Sequence, residues 1–107
     1  MRSSAAAKAD IFHALGDETR LRLVGRLSAG ESRSIAELTD GTDVTRQAIT
    51  KHLRVLEDAG LVKNLRDGRE SKWQLQPRPL DEARQYLDRV SAQWDAAIGR
   101  LKAFVED

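Results

Sequence analysis

Residues 45–54 read TRQAITKHLR and place polar and apolar side chains at the spacing of an α-helix. Ile49 and Leu53 are four residues apart, so a helix would bury both on one face. The opposite face would carry hydrogen-bond donors, namely Arg46, Gln47, Thr50, Lys51 and Arg54. Thr45 is a residue type that caps the start of a helix, and Gly60 is one that follows its end. The pattern predicts an amphipathic helix that starts at Thr45 and ends just before Gly60.

A helix with this exposed face can lie in the major groove of DNA. Arginine or lysine can bind guanine there, glutamine can bind adenine, and threonine can contact a thymine methyl group or a phosphate. An ordinary solvated helix carries the same residue types, so this segment alone leaves both interpretations open.

A short helix is predicted just before it, over residues 34–40. Ser34 and Glu37 have the spacing of a capping box, and Gly41 can stop the helix after barely two turns. Two helices joined by a tight connection have the dimensions of a helix-turn-helix, which would cover residues 34–59.

A β-hairpin is predicted directly after these helices. Residues 61–66 and 70–75 are short strand candidates, joined through Asp67-Gly68, a dipeptide that supplies the positive backbone angles of a tight turn. A hairpin in this place is a wing, which would span residues 61–75.

Two arginines flank the tip of the predicted wing. Arg66 and Arg69 could contact phosphates or a narrow minor groove. The alternative is that charges here only keep an exposed strand edge soluble, and we prefer that explanation for Asp67 and Glu70.

Two further helices are predicted in the first 30 residues. The first covers residues 5–15, with an apolar stripe of Ile11, Phe12 and Leu15. Asp17 is the expected N-cap of the second, which Gly30 closes. Its buried face is predicted to hold Leu21, Val24 and Leu27, with Arg20, Arg22 and Arg26 outside.

The last helix is predicted over residues 80–105, after the helix-breaking Pro77 and Pro79. Apolar residues follow steps of three and four, namely Leu80, Ala83, Leu87, Val90, Trp94, Ala97, Leu101 and Phe104, with Ile98 and Val105 beside them. Such a helix would extend for about 40 Å, which is more than a small domain needs for its own packing. Part of the stripe is expected to contact a second chain, although it could instead cover this chain's own core.

Composition limits the classes of protein that remain. The 107 residues are 40% hydrophobic and 33% charged, which predicts one mainly helical globular domain over residues 1–107. The net charge is only +1, but basic residues predominate over residues 41–72 and acidic ones over residues 80–107. Without cysteine, disulfides and thiolate metal sites are excluded. No apolar stretch is long enough to cross a membrane, so a cytoplasmic location is expected.

Three motifs in order resemble the ArsR family of transcriptional regulators. They are HALGDETRLRL at residues 13–23, TKHLRVLEDAGLV at residues 50–62, and Asp67-Gly68-Arg69 with Trp73-Gln74-Leu75 in the wing. The resemblance implies a winged helix-turn-helix that is mainly α with a small β-hairpin. It also implies a homodimer, joined through its first and last helices, that represses transcription from a palindromic DNA operator.

Two sets of site residues follow from this resemblance and the patterns above. The set expected to bind double-stranded DNA is Thr45, Arg46, Gln47, Thr50, Lys51, His52, Arg54, Arg66 and Arg69. The set expected at the dimer interface is Ile11, Phe12, Leu15, Leu87, Val90, Trp94, Ile98 and Leu101.

The sequence departs from the family where many relatives bind metals. The stretch that often carries a Cys-x-x-Cys-like ligand set reads Glu37-Leu38-Thr39-Asp40, and the last helix has no histidine. No metal site and no cofactor are therefore expected. His13 and His52 are far apart in sequence, and no nucleophile elbow or phosphate-binding glycine loop is present, so no enzyme activity is expected.

Two rival functions remain at this point. A sensor of the same architecture could bind a small organic effector between the last helix and the core near Trp94. A protein-interaction module could instead use the apolar stripe of residues 80–104 to recruit a different chain without binding DNA.

Overall fold

The computed structural model describes residues 4–106 and confirms a mainly helical fold with a small antiparallel sheet. Residues 1–3 and 107 of the predicted single domain lie outside the described residues. The elements in chain order are α1 (Ser4–Leu15), α2 (Glu18–Leu27), β1 (Arg33–Ser34), α3 (Ile35–Thr39), α4 (Arg46–Asp58), β2 (Val62–Asp67), β3 (Glu70–Leu75) and α5 (Pro77–Glu106).

The predicted helix caps are present. The side chain of Asp17 accepts a hydrogen bond from the Arg20 amide at 3.0 Å, at the start of α2. Thr45 Oγ1 accepts one from the Ala48 amide at 3.1 Å, at the start of α4. Ser34 and Glu37 form the predicted capping box of α3. Each cap satisfies amide groups that the first turn of a helix leaves unpaired, which is why these helices begin where they do.

The sheet contains one strand more than the predicted hairpin. Its strand order is β1-β3-β2, and the short β1 places Arg33 opposite Trp73. The tip of the hairpin is also displaced by one residue from the prediction. Asp67 pairs with Glu70, so the turn consists of Gly68 and Arg69, and Gly68 has the positive φ of 65° that the turn needs.

The core lies between the helices and one face of the sheet. Its fully buried side chains are Leu27, Leu38, Ile49, Leu53, Leu56 and Leu61. The predicted buried face of α2 is partly wrong, because Leu21 is 54% exposed whereas Leu23 is 2% exposed. At 100° per residue, Leu23, Val24 and Leu27 share one side of the helix and Leu21 lies on the other.

The last helix begins earlier than predicted. Pro77 and Pro79 lie in the first turn of α5 rather than before it. Proline is tolerated there because first-turn amides have no partner within the helix in any case. With 30 residues, α5 is about 45 Å long. It extends the molecule to 68 Å, and the radius of gyration of 18.2 Å exceeds the roughly 13 Å of a compact chain of this length.

Candidate nucleic-acid interface

The donor-rich face of α4 is exposed to solvent. Arg46, Gln47, Lys51 and Arg54 are exposed, and Thr50 is half-buried. The Thr50 hydroxyl donates a hydrogen bond to the Arg46 carbonyl at 2.8 Å. Among the described residues, no ion pair involves Arg46, Lys51 or Arg54. These cations are therefore available to an external anion.

The opposite face of α4 anchors the helix. Ile49, Leu53 and Leu56 have no exposed surface. The removal of these apolar side chains from water holds α4 against the core of the protein. The exposed side chains of α4 therefore extend from a helix whose position is fixed.

Arg26 on α2 stabilises the turn between α3 and α4. Its guanidinium donates hydrogen bonds to the carbonyls of Glu37 and Leu38, each at 2.8 Å. These carbonyls lie in the last turn of α3, where a short helix leaves acceptors without partners. Arg26 lies outside the buried face of α2, as predicted, and its side chain in addition closes the end of α3 next to α4.

His52 does not belong to the exposed face of α4. It is half-buried, and its Nδ1 lies 3.1 Å from Arg20 Nη1 and 3.7 Å from Asp17 Oδ2. The helical period turns His52 to the flank of the helix, toward α2. The prediction that His52 contacts DNA is corrected accordingly, and Arg20 is likewise not an outward-facing side chain.

The wing follows α4 almost directly. The Leu61 amide donates to the Leu56 carbonyl at 2.9 Å, and the Gln76 amide donates to the Leu61 carbonyl at 2.8 Å, which fixes the base of the hairpin to the end of α4. Arg66 and Arg69 are exposed at the far end. The candidate interface therefore consists of one helix face and one hairpin tip on a common support.

A second surface, on α5, is apolar and uncovered. Its exposed side chains are Leu87 (51%), Val90 (41%), Trp94 (67%), Ile98 (42%) and Leu101 (63%), followed by Phe104 and Val105. These residues do not cover this chain's own core, so that alternative is wrong. Trp94 stands on a single helix face, so a pocket beside it would require a second chain.

The predicted contribution of α1 to the same surface needs one correction. Phe12 and Leu15 are half-buried and retain exposed area. Ile11 is only 3% exposed, because it packs within the core of its own chain. It has almost no surface left for a partner.

Two features are absent from the described residues 4–106. No cluster of three or more His, Cys, Asp or Glu side chains is placed to hold a metal ion. No helix in the same part of the chain combines the length and hydropathy of a membrane span.

The chain is similar in sequence to a helix-turn-helix domain family and to known transcriptional regulators. Residues 15–63 match a helix-turn-helix domain family. The HTH-type transcriptional regulator Rv2034 of Mycobacterium tuberculosis is 38% identical over 87 residues, which cover 81% of this chain and 78% of that protein. The arsenical resistance operon repressor of Escherichia coli is 27% identical over 97 residues, with 91% and 80% covered.

A solved structure extends the similarity to the whole fold. The ArsR-like transcriptional regulator from Rhodococcus sp. RHA1 superposes with a TM-score of 0.80 at 34% identity and covers 94% of both chains. Together with the exposed donor face of α4 and the adjoining wing, these similarities establish the family. The chain belongs to the ArsR family of winged helix-turn-helix, DNA-binding transcriptional regulators.

Proposed function

We propose that the protein is a homodimeric repressor that binds a palindromic operator, with α4 of each copy in the major groove. The observation that carries this proposal is the two-sided character of α4, which has an exposed, unpaired cationic face and a completely buried apolar face. The buried face fixes the position of α4 on the core, and a fixed position is needed if the exposed side chains are to distinguish one base from another.

Some side chains of α4 would contact bases and others would contact phosphates, according to their chemistry. Arg46 and Gln47 lie in the first turn and would bind base edges, where arginine selects guanine and glutamine selects adenine. Lys51 and Arg54 lie further along the helix and would bind phosphates, which set the register but carry no sequence information. The hydroxyl of Thr45 only accepts within α4 and would donate its proton to a phosphate, whereas the hydroxyl of Thr50 already donates within α4 and would leave its methyl group for contact with DNA.

The wing would add contacts beside the major-groove site. Arg69 lies in the two-residue turn of the wing and Arg66 lies in the strand just before it, and this tip is narrow enough to follow the DNA backbone or to enter a minor groove. Their charge would increase affinity at every sequence more than it would improve discrimination.

Dimerisation would be provided by α5 together with α1. The seven exposed apolar side chains of α5, from Leu87 to Val105, form one stripe on a helix whose outer half has no partner within the described chain. A second copy would cover this stripe symmetrically, as closed homodimers do. Two copies would present two α4 helices, and their half-sites would lie about one helical turn of DNA, or a multiple of it, apart. With DNA as its partner, the protein would act in the cytoplasm.

The first experiment identifies the operator. Purified protein is incubated with fragmented genomic DNA, and the bound fragments are sequenced. The proposal expects a shared inverted repeat among them. Fragments without a common sequence would contradict it, and so would the absence of any retained DNA.

The second experiment tests the assigned roles on that operator. We expect Arg46→Ala or Gln47→Ala to reduce discrimination against unrelated DNA by about 1–3 kcal/mol, while the dimer stays folded. Lys51→Ala should weaken binding to all sequences and lower the salt slope by about 1. Arg78→Ala is the control, because this exposed arginine belongs to the start of α5. Unchanged specificity in the Arg46 and Gln47 variants would remove both residues from base recognition.

A further inference from the structure

The guanidinium group of one residue on α2 contacts both α1 and α4, beside the exposed donor-rich face of α4. Arg20 on α2 donates from Nε to the Ala14 carbonyl at 2.7 Å and from Nη2 to the His13 carbonyl at 3.4 Å, at the end of α1. Its Nη1 lies 3.1 Å from Nδ1 of His52 on α4. Because a guanidinium has only donors, Nδ1 of His52 is the acceptor in this hydrogen bond.

Asp17 completes this cluster from the other side. Its Oδ2 accepts from the Arg20 amide at 3.0 Å and lies 3.7 Å from His52 Nδ1. That backbone hydrogen bond, together with the charge of Arg20, keeps the pKa of Asp17 below its ordinary value, against the smaller opposing effect of desolvation. The cluster therefore stands between the start of α2, the end of α1 and the middle of α4.

The hydrogen bonds of Arg20 restrict a motion of α4 that its apolar packing alone would allow. The buried face of α4 holds the helix against the core, but hydrophobic contact is non-directional and permits small rotations. Hydrogen bonds weaken steeply when their angles change, so the bonds of Arg20 resist rotation of α4 relative to α1. His52 directly follows Lys51 in α4, so a rotation of α4 that moved its exposed cationic face would also displace the imidazole ring from Arg20.

We propose that Arg20, acting through His52, is a positioning residue that sets the angle between the dimer helix α1 and the recognition helix α4. The inference rests on the proposed function, in which α1 contributes to the dimer and α4 enters the DNA. In a dimer, this angle determines how far apart the two recognition helices lie. Arg20 and His52 thus govern which half-site spacing the protein accepts, although neither touches DNA.

The test measures selectivity for spacing rather than affinity alone. The operator chosen by the wild-type protein is remade with its half-sites moved by one and two base pairs in each direction, and binding is measured for each. His52→Phe keeps an aromatic ring but removes the acceptor, whereas His52→Asn keeps an acceptor close to the position of Nδ1. Arg20→Lys keeps the charge, but a lysine cannot donate to the α1 carbonyls and to His52 at the same time. It therefore tests the same connection between α1 and α4 if His52→Phe does not fold.

The wild-type protein and His52→Asn are expected to prefer the natural spacing strongly. In His52→Phe and Arg20→Lys this preference should fall by about tenfold or more, since tenfold is the lower end of what one hydrogen bond to a charged group contributes. Binding of a single half-site should not change. A merely structural role would weaken every DNA equally and leave the preference intact.

Three results would overturn the inference. The first is full spacing preference in His52→Phe, or in Arg20→Lys if that variant takes its place. The second is an equal loss in His52→Asn and His52→Phe, because the acceptor would then be irrelevant. The third is a wild-type protein without any spacing preference, which contradicts the proposed function itself and is recognised before any variant is measured.

Discussion

Replacing Trp94 by alanine should disrupt the dimer, and the structure sets the size of the effect. A tryptophan side chain can bury up to about 250 Å², and Trp94 is 67% exposed in the single chain. About 170 Å² is therefore available, which is worth ~4 kcal/mol per copy at about 25 cal/mol per Å² if a partner covers all of it. If a partner covers only half of this area, each Trp94 contributes ~2 kcal/mol. The two Trp94 side chains of a dimer then contribute ~4 kcal/mol together, which is about a thousandfold in the dissociation constant.

Sedimentation equilibrium over a series of protein concentrations measures this change directly. The wild-type protein should be a dimer at micromolar concentration, and Trp94→Ala should shift the monomer–dimer midpoint upward by about three orders of magnitude. Asp88→Ala is the control, since Asp88 is exposed and lies on the side of α5 that faces away from the apolar stripe. A wild-type monomer, or equal dissociation constants for Trp94→Ala and Asp88→Ala, would refute the assignment of α5 as the dimer surface.

Three further substitutions test smaller effects on stability. A carboxylate whose pKa is lowered by folding stabilises the folded state above its unfolded pKa and loses that contribution as pH falls through its folded pKa. Asp17→Asn should therefore be less stable than the wild type at pH 7 and approach it below about pH 4, and a constant difference in urea melts from pH 7 to pH 3 would contradict this. Gly68→Ala should cost about 1–2 kcal/mol because φ is 65° in the wing turn. Gly25→Ala, with nothing within 4 Å of the added methyl group inside α2, should instead stabilise the protein by about 0.5–1 kcal/mol, and equal effects on the two melting temperatures would sink this reasoning.

Features set by neighbouring residues could be predicted from the sequence. The caps at Asp17, Ser34 and Thr45 depend on amides three residues away, so their identity and position determine where each helix starts. The buried face of α4 was predictable for a similar reason, because Ile49, Leu53 and Leu56 keep one helical period. The exposed stripe of α5 was predictable as well, since the predicted helix is longer than a small domain needs for its own packing.

Features that depend on distant contacts could not be predicted in this way. His52 was assigned to DNA because it lies among donors in sequence, but its partner Arg20 is 32 residues away and leaves no periodic signal. The burial of Ile11 depends on how α1 packs against the core, which the stripe in α1 does not specify. The strand β1 has only two residues and exists because Arg33 lies beside Trp73 in the folded chain.

Methylation interference on the selected operator tests the central claim most directly. Methylation of guanine at N7 modifies the major groove, whereas methylation of adenine at N3 modifies the minor groove. With one α4 helix in each of two major grooves, N7 methylation should block binding at two clusters about 10 base pairs, or a multiple of this distance, apart. A single cluster, or interference by N3 methylation alone, would contradict the account.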